Sequence, residues 1–185
     1  MRDDRPSPVQ YRLFYALKPS PLIARQTDHF AATLAPGLPR IPLEHQHVTL
    51  ALASDHDDYP YALVKALLRT ATTVRADPFD LPLDRLNIGP GSAALAPSRS
   101  IPRLRTLQHA VATAMKRAGA LLRPEWHFSP HQTLFYCKRP LGARAVTGFC
   151  WRVEEFVLIC SHVGRTRHDI LGRWPLRGSG QYELF

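Results

Sequence analysis

The chain has 185 residues, a formal net charge of +9 and an isoelectric point near 10.0. Hydrophobic residues at 45% and charged residues at 21% place it among globular proteins and exclude a disordered chain. Its apolar runs, such as residues 156–160, fall far short of the ~20 residues that span a bilayer, and the polar, proline-bearing opening MRDDRPSPVQ does not read as a secretory signal.

In chain order, Tyr11–Leu17 reads as a strand ended by Lys18-Pro19-Ser20-Pro21. Ser20 is placed to cap a helix with Pro21 at its first position, running to about Leu34, and Pro36-Gly37-Leu38-Pro39 breaks it. A second strand is expected around His45–Ala53. A helix is expected over Tyr61–Val74, where Leu63, Val64, Leu67, Leu68 and Ala71 recur at helical spacing. Residues 78–83 and 93–96 read as two short strands joined through Gly89-Pro90-Gly91. A helix from about Pro102 to Ala118 carries Leu104, Leu107, Val111 and Met115 on one stripe and stops at Gly119. Pro130–Cys137 is strand-like, Trp151–Ser161 is a long strand candidate and Trp174–Arg177 a short terminal one. The expected architecture is α+β: one bilobal domain over residues 1–185, with approximate lobes 1–92 and 93–185 that share a cleft and can exchange strands.

Charge divides unevenly between these halves. Residues 1–92 contain 10 Lys/Arg and 10 Asp/Glu, whereas residues 93–185 contain 14 and 5, which accounts for the whole +9. Such asymmetry fits a phosphate-bearing partner handled on one side of the molecule, or a solvated basic surface. Three cysteines, Cys137, Cys150 and Cys160, lack CxxC spacing, which argues against a disulfide framework or a cysteine zinc site and for a reducing cytoplasm.

The decisive pattern is His47-Val48-Thr49-Leu50, echoed 84 residues later by His131-Gln132-Thr133-Leu134; this composition yields one such tetrapeptide by chance only roughly 0.07 times. Side chains alternate faces along a strand, so each His and Thr points one way while Val48, Leu50, Gln132 and Leu134 point the other. Two such strands facing one another gather two imidazoles and two hydroxyls around one small volume. A neutral imidazole accepts a proton from an attacking water, and a protonated one donates to the departing oxygen, both forms being accessible near neutrality. The threonine hydroxyls suit non-bridging phosphate oxygens, or are ordinary β-branched strand residues. This chemistry calls for neither metal nor cofactor. The pairs His45/His47 and His127/His131 suggest zinc only weakly, because Pro124 and Pro130 oppose the helix that a His-x-x-x-His pair needs. His29, His56, His109, His162 and His168 carry no spacing signal.

With these motifs the sequence resembles the two-histidine (2H) phosphoesterases, in particular their bacterial RNA 2′,3′-cyclic phosphodiesterase branch, often named 2′-5′ RNA ligase. Arg12–Leu17 is similar to that family's opening strand, and Phe128-Ser129-Pro130-His131-Gln132-Thr133-Leu134 to its Phe-x-Pro-His-x-Thr-Leu. Residues 155–158, 164–167 and 173–176 are similar to its closing strands. The resemblance implies a pseudo-twofold fold with antiparallel sheets lining a central groove and helices outside. It also implies hydrolysis of an RNA 2′,3′-cyclic phosphate to a 2′-phosphate, with 2′-5′ joining of RNA ends as related chemistry. His47 and His131 become the acid/base pair, by analogy His47 the acid, and Thr49 and Thr133 the phosphate ligands. Relatives often carry an arginine where this chain has Tyr136; Lys138, Arg139, Arg165 or Arg167 are the expected substitutes, or the substrate is a smaller cyclic or 2′-5′-linked nucleotide. Phe14, Tyr15 and Trp126 are candidates to stack on a base, core packing being their other role. The expected partner is an RNA end or nucleotide with a 2′,3′-cyclic phosphate, met by a monomer away from any membrane; an RNA-binding relative without turnover is the non-enzymatic alternative.

Overall fold

A β–α–β unit occurs twice, and its repetition positions the site. In a computed structural model describing residues 9–138 and 142–178, β1 (Gln10–Leu17) leads into α1 (Pro21–Leu34) and then β2 (Val48–Leu52). Ser20 caps α1 as expected, its hydroxyl accepting from the Ile23 N–H. In the second half β5 (Gly91–Ala96) leads into α3 (Pro102–Arg117) and β6 (Gln132–Cys137). Gly119, at φ +84°, supplies the left-handed stop after α3. Between the two units lie α2 (Tyr61–Ala71), β3 (Phe79–Pro82) and β4 (Arg85–Ile88), and after them β7 (Gly142–Ala145), β8 (Cys150–Val153), β9 (Glu155–Val163) and β10 (Arg167–Pro175).

Eight strands form one sheet in the order β10-β9-β1-β2-β6-β5-β4-β7, and β3 pairs with β8 in a separate ribbon. All pairings among the described residues are antiparallel. The large sheet narrows at its middle, where β2 and β6 share the single register pair Val48↔Gln132. It therefore reads as two four-stranded halves with a motif strand at the inner edge of each. The architecture is α+β, bilobal and pseudo-twofold. The chain exchanges strands extensively between halves: β9 and β10 complete the first, and β4 belongs to the second.

The core lies between the sheet and the helices, built from Leu13, Tyr15, Leu17, Leu50, Leu67, Leu104, Leu107, Val111 and Leu134, all at most 2% exposed. The motif strands alternate as expected, with Val48, Leu50, Gln132 and Leu134 buried and Thr49 and Thr133 on the other face.

Several strands differ from the sequence expectation. The turn at Gly89-Pro90 joins β4 to β5, not 78–83 to 93–96; β3 instead pairs with β8. The polar alternation of Arg85-Leu86-Asn87-Ile88 marks a half-exposed strand and hides it from a search for apolar runs. The stretch 151–161 is two strands, broken at Glu154 and assigned to different sheets. The terminal strand begins at Arg167 rather than Trp174, because pairing along β9 supports a sequence with little apolar character. α2 ends at Ala71, three residues early, and β7 has no counterpart in the sequence expectation.

Candidate active site

Register extends from Val48↔Gln132 to the motifs on either side. Antiparallel partners keep a constant sum, so one further step sets His47 opposite Thr133 and Thr49 opposite His131. The two imidazoles occupy one diagonal of this array and the two hydroxyls the other, and diagonal neighbours of an antiparallel pair stand about 7–8 Å apart. His131 is close enough to depress the His47 pKa through like charge.

Both rings are pinned alike. His47 Nδ1 lies 2.6 Å from the His45 carbonyl oxygen, and His131 Nδ1 lies 2.7 Å from that of Ser129. A carbonyl only accepts, so Nδ1 carries the hydrogen in each ring and Nε2 is left for a ligand. The Thr49 and Thr133 hydroxyls have no hydrogen-bond partner among the described residues and are partly exposed.

The bulges are also twinned. Against β1, Ala16 pairs with Thr49 but Tyr15 with Ala51, leaving Leu50 extra; against β5, Ala94 pairs with Thr133 but Ala93 with Phe135, leaving Leu134 extra. A bulge turns the following side chains over. It sends Ala51 and Phe135 into the core and brings Leu52 and Tyr136 back to the groove face. Tyr136, 70% exposed, thereby stands on the His47 side.

Two hollows flank the junction. One, about 280 Å³, is lined by His47, Thr49, Arg12, Phe14, Tyr136 and His168, among others. The other, about 450 Å³, adjoins His131. Burial presses His47 down to about 4, helped by Lys18 and His45, while its hydrogen bond to the His45 carbonyl opposes the shift. Lys18 is itself pushed down to about 8 by burial and by Arg173.

Among the other sequence candidates, Phe14 lines the His47 hollow but is 3% exposed, its ring 4.9 Å from that of His47 and 5.7 Å from that of His168. It supports the imidazoles and offers no free face. Tyr15 is fully buried, donating to the Leu67 carbonyl at 2.9 Å, and is a core residue. Trp126 packs beside Phe128 and lines neither hollow. Lys138 is exposed at the end of β6, and Arg165 is exposed in the β9–β10 turn. Arg167 is bound to Asp169 at 2.9 Å on the opposite face from His168. None of these three cations lines the hollows; Arg139 lies outside the described residues.

Sequence reasoning missed Arg12 and His168 as lining residues. Arg12 holds Asp55 by two 2.7 Å hydrogen bonds, so its charge is largely matched. His168 packs 4.4 Å from the His45 ring and 5.6 Å from that of His47; its Nδ1 is buried without a partner, and burial presses it to about 4. Arg12 pairs with Ser161 and Ser161 with His168, so the register of β1, β9 and β10 brings both to the His47 side, a pairing that no local pattern of the chain shows.

Comparisons with known proteins agree with this fold. A search of curated proteins finds no match. Among solved structures, a phosphoesterase is 25% identical with a TM-score of 0.76, covering 89% of this chain and 98% of its own. E. coli LigT in apo form is 26% identical with a TM-score of 0.70, covering 91% and 98%. A Thermus thermophilus protein, 20% identical with a TM-score of 0.71 over 91% and 99%, shares the fold. The family profile described as the 2'-5' RNA ligase superfamily matches residues 19–165, a span enclosing both His-x-Thr-Leu strands, and the chain belongs to that superfamily.

Proposed function

We propose that this protein opens the 2′,3′-cyclic phosphate at the end of an RNA, leaving a 2′-phosphomonoester, by acid/base catalysis between His47 and His131. The carrying observation is the matched pinning of both Nδ1 atoms, which presents two Nε2 atoms across one diagonal with a threonine hydroxyl beside each. In the step, His131 Nε2 takes a proton from water as the water oxygen bonds to phosphorus. The P–O3′ bond breaks, and the proton on His47 Nε2 passes to O3′. The Thr49 and Thr133 hydroxyls donate to the non-bridging oxygens as their charge grows. A ribose 5′-hydroxyl in place of water gives a 2′-5′ linkage by the same displacement. The 26%-identical E. coli LigT has been crystallised with NADP+, a ligand that carries nucleoside phosphates, and this supports a nucleotide substrate.

The test is hydrolysis of a cyclic-phosphate oligonucleotide and of a 2′,3′-cyclic mononucleotide in the presence of EDTA. Wild type is expected to form only 2′-phosphate, with His47→Ala and His131→Ala each slower by about 10²–10⁴. Equal rates for wild type and both variants would overturn the reading.

A further inference from the structure

The pseudo-twofold is kept by the backbone and broken by the side chains. Aligning the two bulged pairs equates Phe14 with Ser92 and Ala16 with Ala94. The cross-strand partners then correspond: Ile159 opposite Phe14 matches Gly89 opposite Ser92, and Val157 opposite Ala16 matches Asn87 opposite Ala94. On the His47 side this face is a small apolar cluster of Phe14, Ala16, Val157 and Ile159. On the His131 side the same positions are small or polar, and the floor is correspondingly low.

The resulting basin of about 450 Å³ is walled by Arg85 from β4, Arg99 from the loop before α3 and Arg105 from α3 itself. Serines 92, 98, 100 and 129 also line it, and no Asp or Glu does among the described residues. The Asp84 carboxylate accepts from the Ser98 N–H at 2.6 Å and the Ser98 hydroxyl at 2.7 Å, fixing the loop that carries Arg99. Arg105 Nε donates to Ser100 at 2.8 Å, an uncharged partner that leaves its charge uncompensated. By contrast a larger cleft, about 680 Å³, mixes Lys18, Arg25, Arg152 and Arg173 with Glu44, Glu154 and Glu155, and Arg173 is paired with Glu155. Arg12 in the His47 hollow is likewise paired with Asp55. Three arginines thus gather on the His131 side of the histidine diagonal, with Asp84 close only to Arg99, while Lys18, unpaired among the described residues, is the cation felt by His47 on the other side.

We propose that the Arg85–Arg99–Arg105 basin binds the phosphodiester backbone of a single RNA strand running away from the reacting phosphate, so that the protein acts on polynucleotide ends rather than on mononucleotides. This rests on the function proposed above for the adjoining histidines. Arginine forks suit successive phosphates, and the serine hydroxyls donate to the same oxygens without reading sequence. The binding is electrostatic and weakens with salt.

The experiment compares wild type with Arg85→Gln and Arg99→Gln, both exposed positions, each variant first checked for an unchanged thermal melt. Two readouts are used: KM for a cyclic-phosphate decamer against a 2′,3′-cyclic mononucleotide, and anisotropy of a labelled decamer ending in an unreactive 3′-hydroxyl. Each variant is expected to raise the decamer KM about tenfold, leave mononucleotide kcat/KM within about twofold, and reduce the slope of log affinity against log salt by about 0.7. Equal losses on both substrates, or unchanged decamer binding and salt slope, overturn the basin. Decamer binding that falls in the variants while wild type hydrolyses neither substrate leaves the basin standing and overturns the hydrolytic reading instead.

Discussion

Burial keeps the His47 imidazole neutral in the empty groove, so its protonation is expected to accompany phosphate binding. Raising the imidazole from about 4 to its ordinary 6.5 takes roughly 3 kcal/mol. A phosphate monoanion about 4 Å away returns roughly 4 kcal/mol at the effective dielectric of a protein surface, enough to offset the cost. The acid role that family resemblance implies for His47 is therefore compatible with an imidazole that is neutral in the empty groove. Phosphate binding at pH 6 is expected to take up close to one proton, seen as a buffer-dependent calorimetric enthalpy, and His47→Gln is expected to abolish the uptake. Uptake that survives His47→Gln would assign it elsewhere. Tyr136 is the other residue to probe. Where relatives often carry arginine, this chain offers an exposed ring on the His47 side. Base stacking on an aromatic is worth about 1–3 kcal/mol, so Tyr136→Ala is expected to raise KM by about five- to a hundredfold with kcat little changed. A fall in kcat alone would place Tyr136 on the reacting atoms.

Among the elements, β2 and β6 meet at one register pair, and a buried polar cluster reinforces that junction. Gln132 on β6 donates its amide N–H to the Thr27 hydroxyl on α1 at 3.0 Å and to Oε1 of Gln46, the residue before His47, at 3.1 Å. All three are at most 2% exposed. One cluster thus ties α1 and both motif strands together directly behind the imidazoles. Gln46→Ala removes the acceptor and leaves buried donors short of partners, at a cost of about 1–3 kcal/mol. For a chain of this size that lowers Tm by about 2–12 °C. Loosening the histidine spacing is expected to lower kcat more than it raises KM, whereas a purely structural role would lower Tm and spare kcat. β10 shows how an element can rest on one absent side chain. A Cβ on Gly172 would stand 2.5 Å from the Trp174 ring and 2.9 Å from Leu68, so Gly172→Ala is expected to cost about 1–3 kcal/mol by displacing Trp174 from its stack on Phe156. An unchanged Tm would show that the ring moves freely.

For the whole molecule, the groove makes stability pH-dependent. His47 and His168 are both held near 4 by burial, below their value in the unfolded chain. The folded state thus binds fewer protons, and their contribution is fully present above about 6.5 and lost as pH falls toward 4. Asp55, Asp84 and Asp169, held below the usual carboxylate range by Arg12, Ser98 and Arg167 respectively, lose their contribution only at lower pH. Tm is expected to fall by several degrees between pH 7 and 4.5, and His168→Gln to flatten that fall. A Tm constant over this range would remove the buried-histidine account. The neutral and basic halves read from composition survive in space only in part: Arg99 and Arg105 of residues 93–185 gather beside His131, but Arg85 joins them from the first half through β4. The sequence by itself determined the histidine pair, the helices and the alternation of the motif strands, because residue spacing and short-range periodicity carry those. Tertiary structure alone decided that residues 85–88 form β4, that β10 reaches back to Arg167, that His168 and Arg12 enter the groove, and which arginines gather beside His131. Those outcomes depend on which distant strand supplies the hydrogen bonds, and no local pattern in the chain encodes that choice.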